Sequence, residues 1–416
     1  MQTVGLLAAM FLVLAPRCGA QRPAPWPDFR GPSGDGRAVD ATPPLTWSEH
    51  DNVSWKTAIH GQGWSSPVVD DGRIWLTTAT PDGRELSVLA VDLASGKILH
   101  DRVVFHVAKP ASKNTLNSYA SPSPVVEAGR VYVHFGTYGT ACLDTTNAKT
   151  LWTRRDLHCD HLQGPGSSPL LYEDLLILPV DGGDVQYIVA LDTQTGKTRW
   201  KTQRSAKLAK LVPDLRKAYS TPIVIDVDDK PRVISTGAQA TYGYDPSTGK
   251  ELWRVRHKGF SMASRPIAGN GLVYLCTGFM HPRLLAVRTS GTGDVTESNV
   301  VWSYRRNVPT MPSPVLFEGR IYLVNDSGIA SCVDARSGKR VWRHRLDGAH
   351  CASLLAAGGH IYFFDREGRT VVIQPSSKFE QLTVNELDRG FMASPAVVGD
   401  TLILRTKTHL YRIEEH

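Results

Sequence analysis

The eleven residues Ala190 to Trp200, ALDTQTGKTRW, constrain this chain more than any other stretch, because they return. Asp92 to Lys97 reads DLASGK, Asp144 to Trp152 reads DTTNAKTLW, Asp245 to Trp253 reads DPSTGKELW, and Asp334 to Trp342 reads DARSGKRVW. The order is constant: an apolar run, Asp, two or three turn-forming residues, Gly, Lys, then Trp four residues after the Gly. A fixed period of this kind points to an array of like units and overrides the two or three domains that length alone would suggest.

The physics of one copy predicts a β-hairpin. Leu191 ends a strand, and the Asp192 carboxylate accepts backbone N–H groups ahead of it to start a tight turn. Gly196 supplies the positive φ that closes the turn. Lys197 to Trp200 returns as the partner strand, with Trp200 bringing a large apolar face and one N–H. The second copy has Ala148 in the Gly place, and Asn147 just before it is expected to take the left-handed geometry.

A second signature lies upstream of the hairpins: Ser-Pro, apolar residues, a short gap and a β-rich run. It opens at Ser66, Ser123, Ser168, Thr221, Arg265, Ser313, Ser353 and Ser394, eight times in all. Pro fits the first residue of a strand. Each unit then holds four strands, which cannot bury both faces alone but can in a ring of neighbours. The expected fold is all-β: an eight-bladed β-propeller of four-stranded antiparallel blades. The last unit stops after its third strand at Tyr411–Ile413, and an orphan segment around Trp55 supplies the fourth, so both chain ends share one blade and no edge is left open.

The predicted layout is a signal peptide over 1–20, an extended arm lying on the domain surface over 21–46, and the propeller over 47–416. Leu6 to Ala15 is an apolar run too short to span a bilayer, followed by small residues at Cys18-Gly19-Ala20. This places the protein in a secreted or periplasmic setting. Cys18 also invites lipid anchoring, which Pro16-Arg17 before it disfavours. The remaining cysteines, Cys142, Cys159, Cys276, Cys332 and Cys351, are odd in number and irregular in spacing, so they form no disulfide framework. The formal net charge of +7 is spread without a basic block, which argues against nucleic acid as a partner.

With the repeat A-x-D-x-x-T-G-x-x-x-W and the Ser-Pro signature in hand, the chain resembles the PQQ-like, or quinoprotein-like, β-propeller family over about Trp47 to His416. The opening WPDFRGPSGDG (26–36) is similar to the start of secreted planctomycete-type members. The resemblance implies two functions of different class. One is a binding scaffold, like the propeller lipoprotein of outer-membrane barrel assembly, for an envelope or extracellular protein or a polysaccharide, acting as a monomer or within a complex. The other is a dehydrogenase with pyrroloquinoline quinone (PQQ) and calcium in the central channel. Fold membership does not choose between them.

The residues favour the scaffold. No adjacent cysteines and no C-x-x-C-H haem attachment occur, and no P-loop, G-x-S-x-G or H-E-x-x-H pattern is present. Long connections at 101–118, 154–166 and 203–218 are expected on one face around the channel. Trp64, Tyr119, Tyr219, His350 and Arg389 are the candidate channel-face residues. Lys109, Lys113, Arg204 and Lys217 would add positive potential there. His158-Cys159-Asp160-His161 is the densest set of metal-ligand types, although adjacent residues rarely all reach one ion. His106, His134 and His281 read as structural.

Overall fold

The computed structural model describes residues 24–415; the leader segment and Cys18 lie outside the described residues. Eight four-stranded antiparallel sheets form the ring. Blade 1 illustrates the pattern, with strands Val68–Asp70, Arg73–Ala79, Glu85–Asp92 and Ile98–His106 running from the channel outward. Blade 8 is made of Ala396–Val398, Thr401–Arg405 and His409–Ile413, with Val53–Ala58 as its outer strand. Lys56 stands opposite Tyr411 in that register, so the chain ends do close the ring in a shared sheet. Among the described residues no helix is long and apolar enough to cross a membrane.

The hairpin signature holds neighbouring blades together. Asp192 Oδ1 accepts the Thr195 N–H at 2.8 Å and the Thr195 hydroxyl at 2.8 Å, and Gly196 sits at φ 68°. The Trp of one blade reaches the turn of the next. Trp152 Nε1 donates to Thr193 O at 2.9 Å, Trp200 Nε1 to Pro246 O at 2.7 Å, and Trp55 Nε1 to Leu93 O at 3.1 Å. The indole lies so close over the turn that a Cβ at Gly196 would stand 2.6 Å from Trp152. Glycine is therefore required there by close approach as well as by backbone conformation.

Ala148 shows the same rule by exception. It adopts φ 53° itself, so the left-handed residue is Ala148 and not Asn147 as expected. Its Cβ is tolerated because the preceding blade carries His100, and no Trp, in the facing place; His100 Nε2 meets Thr146 O at 3.1 Å. Blade 5, which lacks the Asp turn, uses its long insertion differently. Gly293–Asp294 pairs parallel with Trp253 and Arg254 and covers the outer edge of blade 4.

The Ser-Pro signature builds the channel wall. Ser66 N–H donates to Ser123 Oγ at 2.8 Å, Ser123 N–H to Ser168 Oγ at 2.9 Å, and Ser168 N–H to Thr221 Oγ1 at 2.9 Å. Beyond blade 5 the chain of bonds resumes from Arg265 N–H to Ser313 Oγ, then to Ser353, Ser394 and back to Ser66, at 2.9–3.0 Å. Each hydroxyl satisfies a backbone N–H that the short inner strand leaves over. The collar has one gap, at blade 5, where Arg265 replaces the hydroxyl residue.

Candidate ligand cavity at the open channel end

The arm explains that gap. Its first part does not lie on the surface as expected: Trp26 and Arg30 are 3% and 1% exposed, whereas Val39 and Leu45 further along are exposed. Trp26 pairs with Val69 of blade 1, Pro27 O accepts from Val126 N–H of blade 2, and Gly36 O accepts from Ala356 N–H of blade 7. Between these points the arm crosses the channel. Arg265 donates to Asp28 Oδ2 at 2.8 Å and to the Phe29 carbonyl, while Arg30 donates to Pro314 O of blade 6 at 2.7 Å. A serine at 265 could not reach the arm. The long, forked guanidinium can, and it neutralises the buried Asp28. Burial nevertheless raises the Asp28 carboxyl above its usual range and pushes Arg30 down to about 9.

The other end of the channel is open. A cavity of about 460 Å³ lies above Phe29, which forms part of its floor. All eight connections between blades contribute to it, from Trp64 leading into blade 1 to Met392 leading into blade 8, and the hairpin of blade 5 adds Phe279 at the rim, 53% exposed. Trp64, Leu116, Phe260, Phe279, Met311 and Met392 make the upper wall largely apolar, and six of the collar hydroxyls, on Ser66, Ser123, Ser168, Thr221, Ser353 and Ser394, line its base. Asp214 is the single carboxylate in the lining, and it is paired with the Lys217 ammonium.

The candidate residues divide. Trp64 and Tyr219 line the cavity; Trp64 Nε1 donates to Leu116 O at 2.9 Å, and the Tyr219 hydroxyl donates to His161 O at 2.5 Å. Tyr119 does not line it, being packed inside with its hydroxyl on Ala111 O. His350 is buried at 1% exposure, with Nδ1 against Phe364 O at 2.9 Å. Arg389 is exposed but outside the lining. Of the basic residues, Arg204 is not at the face: it is buried against Asp181 at 2.7 Å and stacks over Tyr242. Lys217 does line the cavity, whereas Lys113 folds back onto Asn117 O. Lys109 is exposed and lies outside the lining. Sequence reasoning missed Phe29, which reaches the cavity from the arm, and Phe279. An apolar residue in a short hairpin, flanked by Gly278 and Met280, was the signal for the latter.

The His158–His161 stretch is a structural plug. His161 Nε2 accepts the Thr137 N–H at 2.9 Å, leaving the ring proton on Nδ1 beside Cys159 Sγ at 3.5 Å. Burial holds His161 at about 4 and lifts the Cys159 thiol far above its usual range. The Asp160 N–H is tied to Asp184 at 2.7 Å, and His158 is exposed. Among the described residues no three His, Cys, Asp or Glu side chains converge as a metal site. The cavity donors are hydroxyls and amides with one neutralised carboxylate. That set fits neither the six to eight oxygen ligands of calcium, carboxylates prominent among them, nor an acidic base beside a quinone.

Residues 108–226 and 214–416 match the family described as outer membrane protein assembly factor BamB. Tetrathionate hydrolase of Acidithiobacillus ferrooxidans is 25% identical over 141 residues, which is 30% of this chain and 28% of that enzyme. This chain thus covers little more than a quarter of that relative's length. Among solved structures, the quinohaemoprotein alcohol dehydrogenase from Comamonas testosteroni superposes with a TM-score of 0.67 at 12% identity, covering 95% of this chain and 81% of that one. BamB from Moraxella catarrhalis superposes with a TM-score of 0.62 at 12% identity, covering 87% and 99%. At these identities the two structures show the shared propeller fold.

Proposed function

Because the chain belongs to the PQQ-like propeller family described as outer membrane protein assembly factor BamB, we propose that it is a secreted or periplasmic binding scaffold that holds a protein or polymer ligand on its connection face. One observation carries this reading. The channel is stoppered by the chain's own arm at one end, and at the other it presents an apolar-walled cavity fed by all eight blade connections. Such a cavity, rimmed by aromatic side chains, has the size and character of a recognition site. A dehydrogenase reading would need an acidic base beside the quinone, and the one carboxylate of the lining, Asp214, is tied to Lys217.

The test pairs two experiments on the purified full chain. Capture from an envelope extract should recover a partner that a Trp64→Ala/Phe279→Asp variant loses while remaining folded. Addition of PQQ and calcium should produce no quinone absorbance and no dye reduction with alcohols or sugars. Stoichiometric quinone binding with turnover would overturn the scaffold reading in favour of a dehydrogenase.

A further inference from the structure

The collar has a chemical property that blade packing alone leaves unused. In Ser66, Ser123, Ser168, Thr221, Ser353 and Ser394 the hydroxyl oxygen accepts a backbone N–H from the preceding blade in the ring. A hydroxyl has one proton to give as well as lone pairs to accept with. None of these six protons meets an acceptor among the described residues, and all six groups face the cavity. The base of the cavity is therefore a ring of O–H donors, and the missing partners must come from whatever fills it.

A second observation gives the sign of that partner. Arg405 is 3% exposed and points its guanidinium at Ser65, the residue before the first collar serine, donating to Ser65 O at 2.9 Å and Oγ at 2.6 Å. It pairs with no carboxylate among the described residues. Below the collar the Arg265 charge is met by Asp28, and Arg30 has the Asp35 carboxylate near it. Arg405 is thus a buried cation without a carboxylate, next to the first collar serine, and a buried unpaired charge favours an anion nearby. Above it, Trp64, Phe260, Phe279, Met311 and Met392 offer nothing to an ion but suit an apolar chain.

We propose that the collar is the head-group site for an amphiphile, a small molecule carrying a terminal oxyanion, carboxylate or sulfonate, on an apolar body that lies against the aromatic and methionine wall. The proposal rests on the reading of the open end as the ligand face and names the chemistry that face selects. Several hydroxyl donors converging on one oxyanion give charge-assisted hydrogen bonds, which are stronger than neutral ones. The arm closes the channel beneath, so the head group stops at the collar and the body remains in the cavity.

Titration calorimetry on the full chain tests this with four probes: octanoate, octane-1-sulfonate, octyl glucoside and inorganic sulfate. Both anionic amphiphiles should bind one per chain, and the tighter of them identifies the head. The neutral glucoside should bind about tenfold or more weakly for want of charge-assisted bonds, and sulfate more weakly still for want of a body. A Ser123→Ala/Ser168→Ala variant should lose about tenfold for the anions and nothing for the glucoside, while Thr221→Ser, which keeps its hydroxyl, should bind as the parent does. Equal binding of glucoside and anions, or unchanged anion binding by a cooperatively melting Ser123→Ala/Ser168→Ala variant, overturns the proposal. Should that variant fail to fold, the probe series on the parent decides alone. A parent that ignores all four probes yet still captures an envelope partner overturns the collar site and leaves the scaffold reading standing.

Discussion

The two ends of the channel are made from the same eight repeats, yet they differ in what fills them. At the closed end every deviation from the repeat has a partner. Arg265 breaks the collar and is answered by Asp28 and the Phe29 carbonyl of the arm. Gly34 leaves room where a Cβ would stand 2.6 Å from that guanidinium. At the open end the repeat is kept, the hydroxyls stay in place, and the space above them is lined but not filled. The contrast teaches that a propeller channel is not functional by default. This chain spends its own sequence to occupy one end and leaves the other lined but unfilled.

The largest effect should come from breaking the closed end. Arg265→Met removes the cation and leaves Asp28, 9% exposed, without its ion partner. Orphaning one member of a buried pair costs about 3–5 kcal/mol, whereas removing both is far milder. Urea unfolding of Arg265→Met should show a loss of that size, and adding Asp28→Asn should recover most of it. A loss below about 1 kcal/mol would mean that the arm is held by its backbone pairing and not by this contact.

Acid should sharpen the contrast, because the buried histidines of the open end and Asp28 of the closed end shift in opposite directions. His134, His257 and His161 lie towards the open end, and burial lowers them to about 3, 3 and 4, with the neighbouring His161 adding to the shift of His134. Unfolded, they would protonate near 6.5. Their contribution to stability is present above pH 6.5 and is lost as the pH falls towards the folded values, because the unfolded chain binds protons that the fold refuses. Asp28 is raised, so its contribution is present in acid and fades as the pH rises through its folded value. Between pH 7 and 5.5 the cost should be on the order of 1 kcal/mol from His134, 4% exposed, and less from the partly exposed His161 and His257. Hydrogen exchange should quicken around 134–142 and 157–163 over that range while the amides of the arm hold.

How much of this was legible in the sequence follows from how local each cause is. The hairpin turn is written in adjacent residues, Asp192 to Trp200, and the ring closure at Trp55 follows from counting strands; both need only short-range physics and a period. The collar was half legible: the Ser-Pro pairs marked strand starts, but that one serine accepts from the blade before it depends on contacts 40 to 57 residues away, and 328 where the ring closes. Arg265 read as one more copy of the signature, since its meaning lies in Asp28, 237 residues distant. For the same reason Arg204, which looked like a loop-face charge, is a core ion pair with Asp181, and the buried first part of the arm looked exposed. His350 and Tyr119 occupy the expected connections but turn inwards, a matter of side-chain direction that no spacing records.

The smallest effect on stability, and the most specific on function, should come from the rim. Phe279 is 53% exposed and packs edge-on against Phe260 with ring centroids 5.8 Å apart. Little apolar surface is withdrawn from water at such a position, so Phe279→Ala should leave the unfolding free energy within about 0.5 kcal/mol of the parent. Ligand or partner affinity should nonetheless fall several-fold, because exposed aromatics at the mouth of a pocket are surface that only binding buries. The paired measurement is urea unfolding against probe binding on one preparation. A variant that loses stability and keeps affinity would assign Phe279 to the packing of blade 5 and would remove the rim from the ligand face.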